Sequence, residues 1–127
     1  MKTLVHAVAA AALLMGVAAP AWAHPKLVSS TPAANATVVS TNRITLTFNE
    51  RLMPRMSGVE LAMTGMPGMA NHAPMKITGY RTAFEGDGKT FVMTLARPLS
   101  AGTYKLDWHA VSADTHRITG SLTFTVR

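Results

Sequence analysis

The sequence predicts a single all-β domain, an antiparallel sandwich or small Greek-key barrel, and three observations predict it. Apolar and polar residues alternate in short blocks. Turn residues separate the blocks at a spacing of about ten residues. Beyond residue 23 nothing carries the periodicity of a long amphipathic helix.

The blocks are Ile44/Leu46/Phe48, Val59/Leu61/Met63, Phe91/Met93/Leu95, Tyr104/Leu106/Trp108 and Leu122/Phe124/Val126. Neighbouring side chains on a strand face opposite ways, so each block reads as a strand with one buried face. Trp108 and Phe124 fall in the expected core. Between the blocks stand Thr31-Pro32, Gly86-Asp87-Gly88, Arg97-Pro98 and Ala101-Gly102, where glycine supplies positive φ and proline fixes φ near a turn value. Residues 65–74 break the alternation with two glycines and two prolines among Met, Asn and His, and read as an exposed loop.

The chain opens with Met1 and Lys2, an apolar run over 4–19, Pro20, and small residues Ala21 and Ala23 around Trp22. This is the pattern of a secretory signal with an Ala-x-Ala cleavage site. The run is shorter than the roughly 20 residues a spanning helix needs, so residues 1–23 are expected to be removed and 24–127 to form a protein that does not span the membrane. Those 104 residues suffice for one core. Loss of the leader removes only Lys2, leaving eleven basic against six acidic side chains, a net +5. The basic residues are scattered singly with little aromatic interleaving, which argues against a nucleic-acid partner. With no cysteine, neither a disulfide framework nor a thiolate metal site is available.

Two constellations carry chemistry. Cleavage after Ala23 would leave His24 as the first residue, whose free amine and imidazole chelate one metal ion. Pro25 has no N–H to deprotonate, so the ion cannot continue along the backbone and draws further ligands from the fold. Asp114 and His116, two apart, would project from one side of an extended segment. Glu50, at the end of a predicted strand, would add a carboxylate or orient a ligand. A nitrogen-rich set of this kind favours Cu(II).

In the second, Met63, Met66, Met69, His72 and Met75 recur at every third residue. Thioethers are soft, neutral donors that suit Cu(I) and resist loss to disulfides in an oxidising compartment. Glycine and proline exclude a helical methionine stripe here, and a strand would put residues three apart on opposite faces. Met53 and Met56, just upstream, are either further donors or packing residues.

These residues resemble the CopC/PcoC family of periplasmic copper-resistance proteins. The likeness runs through His24-Pro25-Lys26-Leu27-Val28-Ser29-Ser30-Thr31-Pro32, Phe48-Asn49-Glu50, the methionine loop, Ala101-Gly102-Thr103-Tyr104-Lys105-Leu106-Asp107-Trp108 and Ser112-Ala113-Asp114-Thr115-His116. It implies a cupredoxin-like Greek-key β-barrel with copper sites at opposite ends: Cu(II) at His24, Asp114 and His116 with Glu50 close by, and Cu(I) in the methionine loop. It further implies a monomeric periplasmic carrier that exchanges copper with an inner-membrane CopD-type transporter or a multicopper oxidase. Arg117 follows His116 where the family has a familiar proline, and the segment 51–56 is unusually rich in methionine.

Other functions fit less well. A blue-copper electron carrier needs a cysteine thiolate. A copper monooxygenase also begins with a chelating histidine, but Asp114 and Glu50 would crowd its oxygen site. Peroxide-driven turnover of a glycan would establish that alternative. Zinc or nickel carriage leaves the methionine loop without a use.

Overall fold

The computed structural model describes Gly16 and residues 24–127; the expected signal segment therefore lies, Gly16 aside, outside the described residues. The strands are β1 (Leu27–Thr31), β2 (Thr37–Val38), β3 (Arg43–Phe48), β4 (Gly58–Gly65), β5 (Met75–Lys76), β6 (Tyr80–Glu85), β7 (Thr90–Leu95), β8 (Gly102–Val111) and β9 (Arg117–Val126), with a 3₁₀ turn at Pro54–Met56. They form two sheets, ordered β1-β3-β7-β6 and β2-β9-β8-β4-β5. The chain alternates between the sheets over β1 to β4 and thereafter crosses in pairs, with β4/β5, β6/β7 and β8/β9 each hydrogen-bonded within one sheet. All pairings are antiparallel save β2 with β9, a parallel edge the sequence did not signal. Among the described residues no helix is long and apolar enough to cross a membrane.

All five alternating blocks are strands, and their apolar members fill the space between the sheets. Ile44, Leu46, Leu61, Met93, Tyr104, Leu106 and Phe124 are essentially inaccessible. Tyr104 stacks on Phe124 with ring centroids 5.5 Å apart, and its hydroxyl donates to Ser100 O at 2.7 Å. The buried ring thus keeps a partner for its polar tip. Trp108 meets Phe48 edge-on at 5.1 Å.

The ten-residue strand β8 is the central beam of the larger sheet. It pairs along its length with β9 and, from Gly58↔His109 to Gly65↔Thr103, with β4. At about 3.3 Å per residue its ends stand about 30 Å apart. One end leads into residues 112–116 and the other adjoins the methionine loop.

Candidate metal centre

Around Pro25 the chain is clamped to the segment that follows β3. Pro25 is buried, Lys26 N donates to Asn49 Oδ1 at 2.7 Å, and Asn49 N donates back to Lys26 O at 3.1 Å. These contacts extend the β1–β3 ladder and fix His24, itself exposed, just beyond the end of β3.

Residues 112–116 do not form the extended segment expected from their spacing. They make a turn in which Thr115 takes φ +67°, with Thr115 N donating to Ser112 O at 2.9 Å. Hydrogen bonds rather than strand alternation bring Asp114 and His116 together. Asp114 Oδ1 accepts from His116 N at 3.1 Å and from the buried Ser112 hydroxyl, while Oδ2 lies 3.1 Å from His116 Nδ1. The Ser112 hydroxyl, first, and the His116 N–H hold the Asp114 carboxyl below the usual carboxylate range, against the opposing effect of burial. Ser112 was not singled out from the sequence as a site residue, because no local pattern marks a hydroxyl that reaches a side-chain carboxylate.

A lowered folded-state value contributes stability above the ordinary 3.8, lost as pH falls through the folded value. Ser112→Ala is therefore expected to raise the Asp114 midpoint in the metal-free protein and to narrow that acid window. A carboxyl-carbon NMR titration reads it directly; an unmoved midpoint would show that the hydroxyl is not the cause.

One nitrogen each from His24 and His116 and one oxygen from Asp114 all lie within 4.8 Å of one another. The two imidazoles stand 4.9 Å apart at 52°. Glu50 is not in this set. It sits in a bend two residues past β3, beyond the point where the ladder fixes direction. Two nitrogens and a carboxylate at this separation suit a borderline divalent cation.

The methionine loop lies at the other end. Met66 and Met69 exchange backbone hydrogen bonds, both at 2.9 Å, around Pro67 and Gly68, whose φ of +81° needs a glycine. Residues paired this way put their side chains on one side, so the two half-exposed thioethers project together. Met75 on β5 is also exposed. His72 Nδ1 lies 2.8 Å from Ala73 O, which leaves Nε2 as the lone-pair nitrogen, and Nε2 is buried without a partner. Such an orphan costs about 1–3 kcal/mol, which a bound cation would offset. Met63 departs from the expected set. Strand alternation wins over the three-residue spacing, and its side chain lies in the core at 6 % exposure.

The family model of the CopC domain matches residues 27–127. The chain belongs to the CopC family. It is 47 % identical over 127 residues, the whole of both chains, to copper resistance protein C of Escherichia coli. It is 54 % identical to copper resistance protein C of Pseudomonas syringae pv. tomato over 113 residues, 89 % of this chain and 88 % of that one. Among solved structures it is similar to PcoC, a methionine-rich copper resistance protein from Escherichia coli, with TM-score 0.75 and 47 % identity over 83 % of this chain and all of that one. CopC from Methylosinus trichosporium OB3b shares the fold at TM-score 0.66 and 22 % identity, over 81 % of this chain and 93 % of that one. The two-sheet β fold expected of a CopC protein is the one found.

Proposed function

We propose that this chain is a periplasmic copper carrier for copper resistance rather than a catalyst. It would hold Cu(II) through His24, by amine and imidazole together, with Asp114 and His116, and Cu(I) through Met66, Met69 and Met75 with His72. Glu50 and Met63 are left outside the ligand sets. The observation that carries this reading is the separation of two donor clusters: the nitrogens and carboxylate oxygen of His24, Asp114 and His116 at one end of β8, the loop thioethers at the other. A cargo ion that changes between a borderline and a soft oxidation state is the cation that uses both. The names of the relatives, copper resistance protein C and methionine-rich copper resistance protein, support the choice of metal. Removal of residues 1–23 supplies the free amine, and a CopD-type membrane transporter or a multicopper oxidase is the partner class that would take or give the ion.

The test is a crossed titration. Met66→Leu with Met69→Leu keeps volume and removes both sulfurs, and is expected to weaken Cu(I) at least tenfold, about 1.4 kcal/mol, while Cu(II) is unaffected. His116→Ala should do the reverse. If either change weakens both oxidation states alike, one shared site replaces the two proposed.

A further inference from the structure

The large apolar side chains exposed among the described residues are two valines and five methionines, so exposure here is selective for the thioether. Three of the five belong to the loop. The other two, Met53 and Met56, do not lie near it. Met53 N donates to Val111 O at 2.7 Å, Leu52 bridges Ser112, and Ser57 Oγ accepts from Val111 N at 3.0 Å. The segment is thus fastened to the end of β8 from which Asp114 and His116 project, about 30 Å from the loop.

Its geometry brings the two methionines close along the backbone. Met56 N donates to Met53 O at 3.1 Å, closing a 3₁₀ turn stiffened by Pro54 and bringing the two Cα atoms within about 7 Å. No residue of the turn is buried; Met53 and Met56 are 36 % and 48 % exposed. Packing therefore gives no account of Met56 and only part of one for Met53, while exposed thioethers carry a risk of oxidation. Three rotatable bonds let each sulfur turn to a common ion.

We propose that Met53 and Met56 form a second thioether station that takes Cu(I) at the nitrogen end of the molecule. Two neutral sulfurs beside the cationic Arg55 hold the ion less tightly than the loop does. They suit an ion in transit, received at the same end as the His24–Asp114–His116 cluster without crossing the length of β8. The proposal rests on copper being the cargo and is independent of the loop as a site.

The experiment follows methionine methyl signals by carbon-13 NMR in protein purified after expression of the full chain, as Cu(I) is added as its acetonitrile complex under nitrogen. The Met53 and Met56 signals are expected to shift after those of the loop. Met53→Leu with Met56→Leu should bind one Cu(I) fewer with the loop signals unchanged. In Met66→Leu/Met69→Leu/Met75→Leu protein the Met53 and Met56 signals should still move. Loop signals that shift while Met53 and Met56 stay fixed overturn the station and leave the carrier reading intact. If no methionine signal moves, the station and the Cu(I) half of the carrier reading are both overturned.

Discussion

A single residue placed ahead of His24 is expected to weaken Cu(II) binding by more than about 100-fold and leave Cu(I) binding unchanged. The extension turns the amine into an amide and would remove one donor of the proposed chelate. Pro25 then decides the size of the effect. With no N–H at position 25, a copper ion deprived of the amine cannot recruit the next peptide nitrogen and is left with the imidazoles and Asp114. Loss of a mere outer partner of a metal ligand costs about 10–100-fold, so loss of a direct donor from a chelate lies above that range. The rest of the site should survive, because Pro25 is buried and Lys26 is held by Asn49, and neither contact involves the amine. The measurement is competition against a chelator of known affinity, with Cu(II) in air and Cu(I) under reductant. Equal Cu(II) affinity in both proteins would eliminate the amino-terminal amine as a donor.

What the sequence made legible follows from where alternation is strong. The five blocks that line the core announce themselves because every second residue loses its water. β1 and β6 went unseen for the opposite reason: Leu27–Thr31 and Tyr80–Glu85 are edge strands with no fully buried residue, so their pattern is blurred. His24, Asp114 and His116 were visible as residue types and are brought together. The means was not visible: spacing suggested an extended segment, whereas Thr115 in a left-handed turn and the Ser112 hydroxyl make the approach. Met63 belonged to two patterns at once, the period of two and the period of three, and burial gives it to the first. The end of the molecule at which Met53 and Met56 sit depends on the register of Leu52 with Ser112, which no local pattern encodes.

Gly120→Ala is expected to cost about 2–3 kcal/mol, within the range for overpacking a filled core, and to lower the melting temperature by about 10–20 °C. Gly120 on β9 lies directly opposite Trp108 on β8, and the indole occupies the space a side chain would take. A Cβ there would stand 2.3 Å from Trp108 Cζ2 and 2.6 Å from Cε2. On one side the ring is backed by Phe48, which meets it edge-on, so a displacement must work against that contact. Its Nε1 is buried without a hydrogen-bond partner, so packing alone sets its position and nothing polar resists a displacement once the clash begins. Thermal unfolding with tryptophan fluorescence reads both consequences. Trp108→Phe in the Gly120→Ala background should recover part of the loss, and the double-mutant cycle isolates the contact from the separate cost of a smaller ring. A melting temperature within about 2 °C of the unsubstituted protein would mean that the sheet yields at this pair. The displaced ring lies three residues before Val111, whose carbonyl anchors Met53, and six from Asp114. Gly120→Ala is therefore expected to disturb Cu(II) binding before Cu(I) binding at the loop, because strain entering β8 here is nearer the nitrogen end.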